Sequence, residues 1–291
     1  MSALNGEGRT SQKMHGWLRW AGSKSRALDA LRQRFESATY DLYVEPFVGA
    51  ATVFLNLAAP TRAVLADTNE DLIAFFSHLK RDPEAVWREL STFPRLVSKS
   101  YYYSARTRFN GLQPGLTRAA TFFFLNRTCF NGVYRVNRRG EFNVPKGSRR
   151  IFRYPTLQEL SSIGVKLQRA DLICSDFQKT AALARPGVLF YLDPPYTGNA
   201  YDRYSWPPFR GRDIDRLGAF IATVRSRGAS VIASYSGTQR PCFLSKEFEV
   251  KRLNVFRSIS SDGSRGKKAE VCAYALNGNR VANRSGDLGD G

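Results

Sequence analysis

Apolar residues recur along this chain at two periods. Short, nearly continuous apolar runs at Leu42 to Val44, Ala63 to Ala66, Leu172 to Cys174, Val188 to Leu192 and Val231 to Ser234 predict strands. Three- and four-residue spacing at Leu28, Leu31 and Phe35, at Leu72, Phe76 and Leu79, and at Leu217, Phe220, Ile221 and Val224 predicts helices. Asn69, Thr156 and Asp213 stand where N-caps are expected, and Thr156 with Glu159 has the capping-box spacing. Strand-like and helix-like segments alternate at both ends of the sequence, the pattern of an α/β domain with a parallel sheet covered by helices.

The strand rhythm stops from about residue 71 to 154, where the sequence turns helical, aromatic and then strongly basic. This predicts an inserted domain at 71–154 within a discontinuous α/β domain made of 1–70 and 155–277. Within the insert, Asn137-Arg138-Arg139-Gly140 is a turn signal between two short alternating segments of Val133 to Val144, so a hairpin is expected. Tyr101 to Tyr103 and Phe122 to Phe124 fit the core of the insert better than stacking platforms. Residues 278–291 are rich in Gly, Asn and Asp and read as a flexible tail.

Charge narrows the partner. The chain has 44 Lys plus Arg against 25 Asp plus Glu, a formal net charge of +19. Such an excess points to a polyanion, nucleic acid first, because each neutralised phosphate releases counterions. The 13% aromatic content argues for a folded domain over a basic tail. No segment approaches the ~20 apolar residues of a membrane span, and the first residues are too polar for a signal peptide, so a cytoplasmic protein without a membrane partner is expected. Cys129, Cys174, Cys242 and Cys272 lie far apart, and the chain has 2 histidines, His15 and His78. Reduced, mostly buried thiols fit that spacing, and no metal site is expected.

The candidate chemistry sits where Val188 to Leu192 runs into Asp193-Pro194-Pro195-Tyr196. The exocyclic nitrogen of adenine gives its lone pair to the ring and is a poor nucleophile until acceptors take hold of its two hydrogens. Asp193 and the carbonyl of Pro194 can be those acceptors, the two prolines fix the backbone without adding competing donors, and Tyr196 can stack on the base. Such a site is out of reach inside a duplex, so the nucleotide must be flipped out, at roughly a few kcal/mol. The same residues also fit a strand ending in an Asp-Pro turn, or a site for methylating RNA or a protein amide.

Tyr43 to Gly49 places a strand before a small-residue turn, Ala50-Ala51-Thr52, and then a helix from Val53 to Ala58, which brings backbone N–H groups close to a ligand. Asp67, at the end of the next strand, can take two ribose hydroxyls or simply cap the helix starting near Asn69; a Gly-x-Gly-x-x-Gly motif is absent. Asp176 can meet an adenine amino group or be a surface carboxylate. Trp20-Ala21-Gly22-Ser23-Lys24 offers an indole and an ammonium, or is a loop leading into a helix.

From Leu18 to Leu276 these segments resemble the Dam-type (D12 class, α-group) DNA adenine-N6 methyltransferases. The stretches that carry the resemblance are LRWAGSK (Leu18 to Lys24), VEPFVGAATVFLN (Val44 to Asn56), FLNRTCFNGVYRVNRRGEFNVPKG (Phe124 to Gly147), YLDPPY (Tyr191 to Tyr196) and RSISSDGSRGKKAE (Arg257 to Glu270). The third is the most specific, since a Rossmann-type domain does not need it. The resemblance implies a Rossmann-like S-adenosylmethionine-dependent methyltransferase sheet with an inserted, mainly helical DNA-recognition domain carrying a β-hairpin. It implies S-adenosyl-L-methionine as cofactor, lined by Trp20, Lys24, Asp67 and Asp193; the strand-turn segment read above adds Glu45, Phe47 and Gly49 to the candidate cofactor set, and the strand-end carboxylate adds Asp176. It implies that Asp193, Pro194 and Tyr196 hold an extruded adenine. Its DNA contacts map to Arg135 on a guanine, Phe130, Asn131 and Val133 at the wedge into the opened stack, Pro145 on a thymine methyl, and Arg19 near the other end of the site. By density of charge alone, Arg138, Arg139, Lys146, Arg149, Arg150 and Arg153 can hold phosphates, as can Arg257, Arg265, Lys267 and Lys268 near the end, and Ser258 and Ser260 of the last stretch join the DNA set.

The residues agree with that assignment: an arginine can grip guanine O6 and N7, discriminating by about 1–3 kcal/mol. The expected substrate is double-stranded DNA with a GATC or other GAT-containing site, with no obligate protein partner. Two departures stand out. Ala50 and Ala51 occupy positions where many relatives have glycine, which restricts the turn if φ there is positive, and the loop Thr197 to Pro208 differs. An RNA adenine methyltransferase and a DNA-binding relative without catalysis are the other readings.

Overall fold

Strands buried on both faces need helices on both sides, and the chain supplies them. In the computed structural model, the residues described are 17–20, 22, 24, 25, 27–58, 60–195, 209, 211–236, 244–253 and 270–276. Its strands are β1 (Leu42–Glu45), β2 (Arg62–Asp67), β3 (Ala170–Cys174), β4 (Val188–Leu192), β5 (Ser230–Ser236), β6 (Glu249–Leu253) and β7 (Glu270–Ala275). They form one seven-stranded sheet in the order β3-β2-β1-β4-β5-β7-β6. The first five strands in that order are parallel, and β7 is antiparallel to both β5 and β6. The sequence pattern located the five parallel strands but not β6 or β7.

Alternate residues of β4 feed opposite cores. Leu189 and Tyr191 join one, while Val188, Phe190 and Leu192 join the other. The first core is covered by α1 (Leu28–Glu36), α2 (Thr52–Asn56), α3 (Glu70–Arg81), α4 (Pro83–Ser91), α5 (Lys99–Gly111), α6 (Leu116–Thr128) and α7 (Leu157–Leu167). The second is covered by α8 (Gly211–Ser226). The α/β architecture is thus a mainly parallel, Rossmann-like sheet between two layers.

Local chemistry sets the helix starts. Asn69 accepts from Leu72 N–H at 2.9 Å, and Thr156 and Glu159 form the expected reciprocal capping box. Asp213, expected as a cap, is instead inside the first turn of α8, which begins at Gly211, and its carboxylate accepts from Arg216 Nη1 at 2.8 Å. An acid in the first turn still meets the positive end of the helix dipole, which is why it mimics a cap in sequence. The helix expected from Val53 to Ala58 runs from Thr52 to Asn56, because Leu57 leaves helical geometry at φ −121°.

Between α6 and α7 the chain forms the expected hairpin, as a very short one. Asn137 N–H donates to Glu141 O at 2.8 Å, Gly140 N–H donates to Asn137 O at 3.0 Å, and Gly140 has φ +78°. That is a three-residue loop with a left-handed closing glycine. Pairing extends only through isolated bridges at Val136–Phe142 and Cys129–Lys146, not through strands. Side chains take over the ladder's work: Asn143 engages Arg135, and α5 grips the returning segment through Asn110 on Phe142 and Tyr102 on Val144 O.

Candidate functional site

Open parallel sheets bind ligands where the strand order reverses, outside the carboxyl ends of the strands. Here that point lies between β1 and β4, which pair in parallel. β1 ends in Glu45 and β4 delivers Asp193. Lys24, 3% exposed, reaches this point from the loop before α1, placing Nζ 2.6 Å from Asp193 Oδ1 and 2.9 Å from Gly22 O. Pro194 is buried directly behind Asp193. Tyr196 lies outside the described residues.

Glu45 is 2% exposed and accepts a hydrogen bond from Tyr43 Oη at 2.8 Å. Burial first, and the negative charges of Asp193 and Asp67 next, hold its carboxyl well above the usual carboxylate range, against the opposing bond from Tyr43. Behind β4, Tyr191 Oη and Ser234 Oγ are 2.9 Å apart.

A few residues past Glu45, the chain turns sharply. Gly49 has φ +46°, and a Cβ there would lie 2.7 Å from Trp20 Cδ1, so the indole rests directly on the glycine backbone. Gly49 N–H donates to Asp67 Oδ2 at 3.1 Å, and Asn69 N–H donates to Oδ1 at 3.0 Å. Asp67 is therefore a fixed acceptor at the end of β2, its acidity lowered by burial and partly restored by these backbone bonds. Ala51 has φ +54° and opens α2 without a side-chain cap. The backbone that the sequence flagged as needing glycine does take the left-handed form at Ala51, though not at Ala50.

Asp176 caps a short 3-10 turn just past the end of β3, accepting from Gln178 N–H at 2.9 Å and pairing with Arg216 Nη2 at 2.8 Å. Phe47 and Phe177 pack with centroids 5.1 Å apart. Trp20, Lys24, Glu45, Phe47, Gly49, Asp67, Asp176 and Asp193 thus gather along the carboxyl edge of the sheet. A fixed carboxylate at the end of β2, the tight Gly49 turn, the aromatic rings of Trp20 and Phe47 and the buried Lys24–Asp193 pair are groups of the kind that can hold an adenosine-containing cation.

The candidate DNA-contacting residues lie between α6 and α7, together with Arg19 from the segment before α1. Arg19 is tied by its backbone to Asn126, whose Oδ1 accepts from Arg19 N–H at 2.9 Å and whose Nδ2 donates to Arg19 O at 2.5 Å. Phe130 is 46% exposed, Asn131 has φ +53°, and Val133 is buried beneath them. Arg135 Nε donates to Asn143 Oδ1 at 2.7 Å, which holds the guanidinium by its inner edge. Arg138 and Arg139 are exposed at the hairpin tip, with Pro145 and Arg149 also exposed. Lys146 Nζ donates to Arg149 O at 2.8 Å. Ser258, Ser260 and Lys267 fall outside the described residues.

A model of the D12 class N6 adenine-specific DNA methyltransferases matches residues 20–269. The chain belongs to this family. It is 35% identical to a DNA adenine methylase of Vibrio cholerae over 271 residues, covering 90% of this chain and 96% of that protein. It is 34% identical over 266 residues to a DNA adenine methylase of Escherichia coli, covering 89% and 94%. A type II methyltransferase of Methanocaldococcus jannaschii is 30% identical over 275 residues, covering 86% and 94%. As a D12 methyltransferase the protein is an adenine-specific DNA methyltransferase that uses a methyl donor. Among the described residues, no helix is long and apolar enough to cross a membrane.

The structure of this D12 protein adds residues that the sequence did not single out. Arg127 is crowded by burial and by Arg149, Arg19 and Arg153, which push its guanidinium down to about 10. Like charges held this close make the region strongly positive, and only the density of arginines hinted at it. Asn126, in the apolar run of α6, bridges Arg19 to Gly132 O; a buried amide within such a run was the available signal. Tyr134 Oη donates to Asp71 Oδ2 at 2.7 Å, and Asp71 is gripped by Arg118 through Nε at 2.7 Å and Nη2 at 3.2 Å. Nothing in the spacing of these three residues joins them before the fold does. Cys129 and Cys272 are buried thiols, each pushed up to about 12 by burial, whereas Cys174 is exposed; Cys242 lies outside the described residues.

Proposed function

We propose that the protein transfers the methyl group of S-adenosylmethionine to N6 of an adenine flipped out of a short double-stranded site, GATC or another GAT-containing sequence. The observation that carries the reading is the convergence of Asp193, Lys24 and Glu45 at the sheet's switch point, next to the Gly49–Asp67 turn. When bound, the cofactor supplies a methyl group on a cationic sulfur, already activated for transfer. The carboxylates of Asp67 and Asp176 are suited to its ribose and adenine, and Trp20 and Phe47 to its flat faces.

Asp193 and the Pro194 carbonyl accept the two hydrogens of the adenine amino group, which localises the lone pair on N6 for in-line attack. Lys24 donates to one oxygen of Asp193 at 2.6 Å and so orients the carboxylate as an acceptor. The surplus proton leaves after transfer, once N6 is cationic and strongly acidic. Tyr196 closes the base from one face.

Residues 71–154 act as the target-recognition domain on a catalytic domain of 1–70 and 155–277. Arg135, aimed by Asn143, reads guanine; exposed Phe130 with Asn131 enters the space the adenine leaves, supported by Val133; Pro145 meets the thymine methyl and Arg19 the far end of the site. Arg138, Arg139, Lys146, Arg149 and Lys267, with Ser258 and Ser260, hold the backbone.

Transfer of labelled methyl groups to unmethylated plasmid, followed by mapping of every modified adenine, tests the reading. Modification of adenine N6 within one short GAT-containing motif is the expected result. Equal activity on single-stranded RNA, or tight duplex binding with no incorporation, overturns it in favour of the RNA enzyme or the inactive relative.

A further inference from the structure

A closed circuit of contacts links the donor-side turn to the hairpin. Trp20 lies on Gly49, where an added Cβ would approach Cδ1 to 2.7 Å. The indole also stacks with Tyr134, centroids 6.4 Å apart and planes 27° off parallel. Tyr134 Oη donates to Asp71 Oδ2 at 2.7 Å. Asp71 is in the first turn of α3, whose cap, Asn69, donates its N–H to Asp67 Oδ1 at 3.0 Å. Asp67 returns to the start by accepting Gly49 N–H at 3.1 Å. Tyr134 is the member that belongs to the hairpin: Arg135 follows it directly, and Phe122 and Phe142 flank its ring at 5.8 and 5.6 Å.

We infer that Tyr134 is a positioning residue that couples methyl-donor binding at the Gly49–Asp67 turn to DNA reading by Arg135. A ligand that engages Asp67 and Trp20 fixes two members of the circuit, and the tyrosine stacked on that indole then carries that order to the base of the hairpin. DNA that fixes Arg135 acts on the same circuit from the other end, so by linkage each ligand tightens the other by the same factor. The hydroxyl matters because it anchors the ring to Asp71, which Arg118 clamps with two bonds. Without it the ring can still pack, but it is no longer tied to α3. The inference rests on the donor and DNA roles proposed above.

The test is the ratio of two dissociation constants. S-adenosylhomocysteine is titrated calorimetrically into the full chain with and without a GATC-containing duplex, for the wild type, Y134F and Y134L. The expected wild-type ratio is at least about fivefold, within the usual range of allosteric couplings. It should fall to within about twofold of unity in Y134F, with both ligands still bound. A role limited to stability would weaken both affinities in parallel and leave the ratio unchanged. An unchanged ratio in Y134F, or a wild-type ratio of one, overturns the coupling. Failure of the wild type to bind either ligand instead overturns the proposed function. If Y134L does not fold, Y134F alone decides the question.

Discussion

Lys24 Nζ lies 2.6 Å from Asp193 Oδ1, joining the loop before α1 to the end of β4. The ammonium is almost wholly buried, so breaking the pair leaves a buried charge without its carboxylate partner. A carboxylate has about four acceptor positions, so one bond to Lys24 orients Asp193 without exhausting it. The pair fixes an acceptor where the strand order of the sheet reverses.

Replacing Asp193 with Ala should therefore lower turnover by about a hundredfold or more, the scale seen when one preorganised charge-stabilising group is removed. Duplex affinity should stay within a few fold, because phosphate contacts dominate it. Single-turnover methyl transfer and gel-shift titration measure the two separately. Near-normal turnover in D193A would remove Asp193 from the chemistry. K24M should also slow transfer, since Asp193 then loses the bond that orients it.

Gly49→Ala should lose donor affinity more than stability. The added methyl meets Trp20 Cδ1 at 2.7 Å, and φ +46° already disfavours alanine. Displacement of the indole should appear as altered tryptophan fluorescence and a raised dissociation constant for S-adenosylhomocysteine. The reverse substitution, Ala51→Gly, relieves a left-handed alanine, a conformation that costs roughly 1–2 kcal/mol. Because Ala51 is fully buried and its methyl group also packs, we expect a melting temperature raised by only about 2 °C. A lowered melting temperature would mean that packing of the methyl outweighs the backbone strain.

The parallel half of the fold was legible because buried strands such as Val188–Leu192 are apolar at every position, all five residues being buried in the structure. β6 and β7 escaped for a different reason. β6 is an edge strand, Glu249 to Leu253, with charged residues that blunt an edge and hide the period, while β7 is rich in alanine, a weak strand former. In the site, Asp193 and Asp67 were legible because each ends an apolar run. The Asn126–Arg19 and Tyr134–Asp71 links were not, since only the fold brings together residues so far apart in sequence.

Asn143 should matter to sequence choice although it is not itself the expected reader. Its Oδ1 holds Arg135 Nε at 2.7 Å, so the guanidinium is aimed before DNA arrives. R135A should lose about 1–3 kcal/mol of discrimination at the guanine. N143A should lose part of that and leave non-specific affinity unchanged. Competition between cognate duplex and a duplex altered at that guanine measures both; equal loss on the two duplexes would make Asn143 a general structural residue.

Glu45 gives the protein a pH dependence of stability whose sign is opposite to that of an ordinary surface carboxylate pair. Burial raises its carboxyl above the value it has in the unfolded chain, so the native state holds a proton that the unfolded state releases. Its stabilising contribution is complete below the unfolded value and is lost as pH rises through the native one. Between those two values the wild type should lose stability with rising pH by up to about 1.4 kcal/mol per unit from this group alone. The amide introduced by E45Q cannot ionise, keeps an acceptor for Tyr43 Oη, and should flatten the curve over that window. Urea unfolding of both proteins from about pH 5 to about pH 9 reads the difference, since the window opens near the ordinary carboxylate value and extends upward. Parallel curves would show that Glu45 ionises in the native state without penalty.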